Sequence, residues 1–124
     1  MNASSAWRLL AASACLSVLA GCATTTPPLY AWDGYQPQVY SYLKANGADS
    51  PEAQIAVLEE AEQKARARGA ALPPGYQAHL AMLYSKAGQD AKTEQRLMAE
   101  KAQFPESAPF MDFLMRTFAV KGTR

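Results

Sequence analysis

Four consecutive residues, Leu19-Ala20-Gly21-Cys22, have the types and order that one covalent modification requires. A thiol with a bulky apolar residue three places before it and two small residues in between suits acylation of the sulfur and cleavage on its amino side. The peptidase that cuts there must bind an extended, uncrowded backbone. The chain has one other cysteine, Cys15, but Ala12-Ser13-Ala14 ahead of it lacks the bulky residue. The remaining groups with chemistry to offer are the single histidine, His79, and the clustered carboxylates Glu59, Glu60 and Glu62.

The segment ahead of Cys22 is what must present it. Arg8 and the amino terminus make a positive start, and Leu9 to Ala20 then runs without a charge. A dozen apolar and small residues is the length of a secretory core and falls short of the roughly 20 needed to span a bilayer as a helix. Leu19 to Cys22 therefore resembles the lipobox of bacterial lipoproteins, with residues 1–21 as the signal peptide and Cys22 as the lipidated residue. A plain secreted protein or an uncleaved anchor is the alternative. A single acyl chain binds a membrane marginally and two hold it; resemblance to lipoproteins implies a diacylglyceryl thioether plus an N-acyl chain. Ala23 in place of Asp, by resemblance to enterobacterial lipoproteins, implies the outer membrane, on its periplasmic face.

Ala23-Thr24-Thr25-Thr26-Pro27-Pro28 reads as an extended tether, so residues 22–29 link the anchor to a single domain over residues 30–124. At about 3.1 Å per residue, the six tether residues reach only about 20 Å. The domain must work close to the membrane that holds it.

Composition excludes several functions. The chain carries 12 Lys and Arg against 11 Asp and Glu, and loss of Arg8 with the leader leaves 11 of each, without the basic bias of a nucleic-acid binder. Processing removes Cys15 and lipidation consumes Cys22. No thiol then remains for a disulfide, a metal or nucleophilic catalysis, and one histidine rules out paired-histidine zinc motifs. Neither a metal nor another cofactor is expected. His79, on the edge of an apolar helical stripe, lacks a Gly-x-Ser-x-Gly elbow or an acid in sequence reach. Glu59, Glu60 and Glu62 would serve glycan cleavage only if burial raised the pKa of one. The spacings Glu60/Lys64 and Glu62/Arg66 instead suggest a solvated, ion-paired helix face. The expectation is a protein that is not an enzyme.

From Tyr30 the pattern is all-α, four to five short helices without a strand. Helices are predicted near Gln36 to Ala45, with Val39, Tyr40, Tyr42 and Leu43 as its apolar residues; from Ser50-Pro51-Glu52 to Arg68, with Ile55, Leu58, Ala61 and Ala65; from Tyr76 to Ala87, with Leu80, Leu83 and Tyr84; and from Asp90 to Gln103, with Leu97, Met98 and a terminal Phe104. Ser50 suits a cap, Pro51 the first turn, and Gly47, Gly69 and Gly88 the stops.

Leu80-Ala81, Tyr84, Gly88, Leu97 and Pro105 keep the spacing of a tetratricopeptide repeat, which the chain resembles in this half and more weakly over Gln36 to Arg68. Thr93 and Glu100 depart from it, standing where the repeat has small residues. The resemblance implies two divergent helical hairpins plus a C-terminal helix. The chain also resembles a family of small proteobacterial outer-membrane lipoproteins in its lipobox, in Tyr30, Trp32, Gly34 and Tyr35, in Pro73 to Tyr76, and in Phe104 to Ser107. That likeness implies a gene neighbourhood with a curli-secretion-type pore lipoprotein, but no activity.

The C-terminal helix is apolar over more than half its circumference, through Phe110, Met111, Phe113, Leu114, Met115, Phe118 and Val120, with Asp112 and Arg116 spaced to pair. One face covers the last repeat and the surplus needs a second cover. The candidates are the Tyr30-Trp32-Tyr35 segment folded back over it, which is the favoured reading, a partner protein, or a membrane surface. Two repeats where about three are usual raise the case for a partner or a homo-oligomer. Tyr30, Trp32, Tyr35, Tyr40 and Tyr42 are expected to cap the first repeat, with sugar or peptide stacking or lipid headgroup contact as alternatives. The functional expectation is a non-enzymatic adaptor at a cell-envelope complex that contacts its partner, possible pore lipoprotein included, through Tyr30, Trp32, Tyr35, Phe110, Met111, Phe113, Leu114, Met115 and Phe118. The alternatives are an activator or enzyme of peptidoglycan metabolism and a glycan- or peptide-binding module.

Overall fold

Local chemistry delimits the helices. In the computed structural model, which describes residues 26–44 and 50–122, five α-helices follow in order: α1 (Tyr35–Lys44), α2 (Pro51–Ala67), α3 (Tyr76–Lys86), α4 (Asp90–Gln103) and α5 (Ala108–Gly122), with one 3₁₀ turn, Pro105–Ser107, before α5. Ser50 caps α2, its Oγ accepting from the Ala53 N–H at 3.4 Å, with Pro51 in the first turn. Gly69 ends it at φ +67°, a left-handed stop that a side chain would strain. Pro105 stops α4, because the residue before a proline is driven out of helical geometry and Phe104 is extended at φ −129°, ψ 82°.

Each helix packs on its neighbour in the chain. Short connections and paired ends make the hairpins antiparallel: Glu100 at the end of α4 meets Gly75 at the start of α3, and Lys101 of α4 meets Asp112 of α5 at 2.7 Å. Tyr35 lies against Tyr76 and His79, while Tyr42 lies against His79 and under Lys86, so α1 runs alongside α3 in the same direction. The fold is all-α, as the periodicity predicts. An isolated parallel bridge between Tyr30 and Ala71, with the Ala31 N–H donating to Ala71 O at 2.7 Å, fastens the leading segment to the α2–α3 loop.

Two apolar clusters form the interior. The larger joins Ile55, Leu58 and Ala65 of α2 to Tyr76, Leu80, Leu83 and Tyr84 of α3, and the smaller joins Ala81, Leu97 and Met111. Of the six positions that carry the repeat resemblance, Leu80, Ala81, Tyr84 and Leu97 are buried. Two expectations fail. Met98 is exposed, because Leu97 takes the core-facing position and Met98 lies about 100° further round the helix. None of the apolar residues of α1 is buried, since only α1's inner edge meets the domain.

The two departures from the repeat pattern are buried and satisfied. Glu100 accepts from the Gly75 N–H at 2.6 Å and the Gln77 N–H at 3.2 Å, capping α3 from a neighbouring helix. Gly75 (φ +85°) offers no side chain for that task, and a Cβ there would stand 3.1 Å from the Tyr35 hydroxyl. Thr93 turns its hydroxyl back to Gln89 O at 3.1 Å.

Candidate functional site

The C-terminal helix is seated through one stripe. Met111 is 3% exposed and rests on Ala81 and Leu97, with Leu114, Met115 and Phe118 half-buried beside it, and the small residues Ala78 and Ala81 of α3 let α5 approach closely. Phe110 and Phe113 point away from that stripe. They are 58% and 53% exposed, and their rings stack on each other at 6.4 Å and 16°. The expected pairing of Asp112 with Arg116 does not occur. Asp112 faces α4 and takes Lys101, an anchor across the hairpin, while Arg116 is left exposed beside a groove.

That groove, about 480 Å³, runs between α4 and α5. Leu97, Met115 and Phe118 make its apolar part, and Asp90, Glu94 and Arg116 its charged rim. The α4 side has no signal in the sequence, because Asp90 and Glu94 line a groove that exists only once α5 is laid across α4.

The leading aromatic segment does not cover α5, contrary to the favoured expectation. Trp32 stacks on Tyr35 at 6.3 Å, Tyr30 meets Phe104 edge-on at 6.1 Å, and Tyr35 packs on Tyr76 at 5.0 Å. The bridge to Ala71 commits the segment to the α2–α3 loop instead. Within it, Tyr30 and Tyr35 are half-buried and Trp32 is exposed. The nine candidate contact residues therefore divide into two groups carried by different elements. Leu19, Ala20, Gly21 and Cys22 lie outside the described residues.

A polar cluster lies between α2 and α4. Arg96 reaches Glu62 at 2.7 Å, Gln77 Oε1 at 2.9 Å and Glu59 at 3.2 Å, while Glu62 also takes Arg66 at 2.6 Å and the Gln77 amide at 3.0 Å. Tyr84 donates to Glu59. Glu62 is thus buried, which corrects its reading as a solvated face; Glu60, paired with Lys64 at 2.7 Å, is open to water and Glu59 is half-buried. Burial pushes the Glu62 carboxyl up, but the hydrogen bonds from Gln77, Arg96 and Arg66 and the Arg96 charge outweigh it and hold the pKa below the ordinary carboxylate value. A carboxylate kept ionised in this way is the opposite of a general acid.

His79 is buried against the edges and faces of Tyr35 (6.0 Å) and Tyr42 (5.5 Å), and burial lowers its pKa. Its Nε2 has no hydrogen-bond partner among the described residues. Among those residues no group of three His, Cys, Asp or Glu side chains converges to hold a metal ion, and no helix is long and apolar enough to cross a membrane.

A family model described as a domain of unknown function, DUF4810, matches residues 29–114, from the exposed Leu29 to the half-buried Leu114 of α5. The chain belongs to the DUF4810 family. No curated protein and no solved structure matches it. The DUF4810 match takes in the Tyr30–Tyr35 segment, the Phe110–Phe113 pair, the Arg96 cluster and the α3 cap.

Proposed function

We propose that this DUF4810 protein is a lipoprotein held through Cys22 on the periplasmic face of the outer membrane, where its helical domain is a non-enzymatic adaptor in an envelope assembly or secretion complex. The observation that carries the reading is the stacked Phe110–Phe113 pair, solvent-exposed on a helix that Met111 and Leu114 already seat firmly. Burying two such rings against a partner removes their apolar area from water without any rearrangement of the domain. An enzymatic reading finds less support. Glu62 is neutralised by arginines, and the buried His79 ring packs against Tyr35 and Tyr42.

The partner that fits best is another lipoprotein at the same membrane, because the tether would keep the domain within about 20 Å of its anchor; that it is of the curli-secretion pore type is what the family resemblance implies. A photo-crosslinking amino acid in place of Phe113, in the full chain and in intact envelopes, should trap that pore lipoprotein. Trapping a peptidoglycan synthase or hydrolase there would replace the adaptor reading with a role in peptidoglycan metabolism.

A further inference from the structure

We infer that the outward face of α1, with the segment leading into it, is a membrane-docking surface that lies in the headgroup layer of the bilayer holding the Cys22 lipid. The inference rests on the lipid-anchor reading above and adds a second, non-covalent contact to it.

Helix α1 is fastened along one edge only. Tyr35 and Tyr42, seven residues apart, turn inward onto Tyr76 and His79. Tyr40 and Leu43, three apart on the other side, are 65% and 67% exposed. Just ahead of them in the chain, Leu29 and Trp32 are also exposed, as is Val57 of α2, whose Cγ1 comes within 4.0 Å of where a Cβ on Gly34 would stand. Exposed Leu, Trp and Tyr side chains thus lie on α1 and the segment leading into it, with Val57 beside Gly34 at their junction, about a helix that has no buried residue of its own.

The chemistry of this face fits lipid better than protein. Trp and Tyr have an apolar body and a polar tip, the combination that partitions to the bilayer interface. Helix α1 contains no acidic residue and ends in Lys44, whose ammonium stands 5.8 Å from the Tyr40 ring and can reach a lipid phosphate. The one acid in the leading segment, Asp33, is neutralised by Arg68. The α5 pair differs in kind, with two phenylalanines and no polar tip.

Tether length selects the occupant. The chain between Cys22 and Leu29 is six residues, about 20 Å when extended, so Leu29 and α1 are the parts of the domain delivered first to the bilayer. A contact too weak to recruit the domain from solution suffices here, because a short tether makes it effectively intramolecular.

Trp32 reports the contact directly. The only other tryptophan, Trp7, leaves with the signal peptide. Mature lipidated protein in phosphatidylethanolamine/phosphatidylglycerol vesicles should show Trp32 quenched by lipids spin-labelled at the headgroup and shielded from aqueous acrylamide. The double variant Tyr40→Ser/Leu43→Ser, changed only at exposed positions and checked for helicity by circular dichroism, should lose at least half of the headgroup quenching. Mass spectrometry separates the two readings. An unlipidated Cys22 overturns both, whereas a lipidated protein whose Trp32 is open to acrylamide and untouched by the headgroup label overturns the docking surface alone. Shielding that appears in native envelopes but not in lipid vesicles would assign the face to a protein and overturn it as well.

Discussion

Glu62 and Arg96 set the terms at the scale of single residues. Each is charged and withdrawn from water, with side-chain exposures of 5% and 16%; Glu62 is satisfied by Arg96, Gln77 and Arg66, and Arg96 by Glu62, Gln77 and Glu59 with the Tyr84 ring beside it. Removing one partner strands the other charge. Glu62→Ala should lower the unfolding free energy by about 3 kcal/mol in urea titration, the scale of a broken buried pair, while Glu60→Ala, at an exposed pair, should leave stability unchanged. Because the folded pKa of Glu62 is depressed, its contribution is complete above the unfolded carboxylate value and is lost as pH falls through the folded one.

His79 acts in a different window. Burial depresses its pKa, so the folded state binds the proton less readily than the unfolded state, and stability should fall as pH drops below about 6.5, before the carboxylates titrate. Thermal unfolding of wild type should show a lower midpoint at pH 5.5 than at pH 7.5, and His79→Leu should flatten that difference. A slope unchanged in the variant would place the titrating group elsewhere.

Single elements here have two faces with two purposes. In α5 the neighbours Met111 and Phe110 differ more than their chemistry suggests: the methionine plugs the gap over Ala81 and Leu97, and the phenylalanine meets water. Met111→Ala should cost about 2–4 kcal/mol by denaturant titration, through lost burial and the cavity left behind. Phe110→Ala should cost less than about 1 kcal/mol, the worth of one exposed ring stack. The reverse order would mean that the helix sits the other way round. Helix α3 shows how far an element depends on its neighbours. Its N-cap residue, Gly75, has no side chain to cap with, so Glu100 supplies the acceptor from α4, and the acid is well placed at the positive end of the α3 dipole.

For the molecule as a whole, the proposed lipid anchor would keep the domain close to one surface and leave the exposed Phe110–Phe113 pair for a partner. About 30 Gly/Ser residues inserted after Thr26 lengthen the link roughly sixfold and should cut the effective concentration at the membrane about fifteenfold, since it falls near the −3/2 power of length. The crosslink yield at Phe113 should drop accordingly while the unfolding midpoint of the domain stays the same. An undiminished yield would show that closeness to the membrane is not used.

Much of this was legible in the order of residues because its causes are local. The Ser50-Pro51 start, the Gly69 and Gly88 stops, the Pro105 break and the period that buries Leu58, Leu80, Tyr84 and Leu97 involve neighbours within a turn or two. What lay out of reach depended on partners far along the chain. Glu62 looked solvated because Gln77 and Arg96, 15 and 34 residues away, cannot be seen from its own helix. Asp112 looked paired to Arg116 because a four-residue spacing is visible and Lys101, across a turn, is not. The polar residues at repeat positions, Thr93 and Glu100, were the usable signal: a polar side chain in a buried register must find an acceptor or donor. The sequence by itself determined an all-helical chain, its boundaries and its stock of surplus aromatic side chains. Only tertiary structure decided which of them turn inward, as Tyr35 and Tyr42 do onto His79, and which are left outward, as Tyr40, Phe110 and Phe113 are, because burial is a property of the surface a neighbour covers and not of the residue.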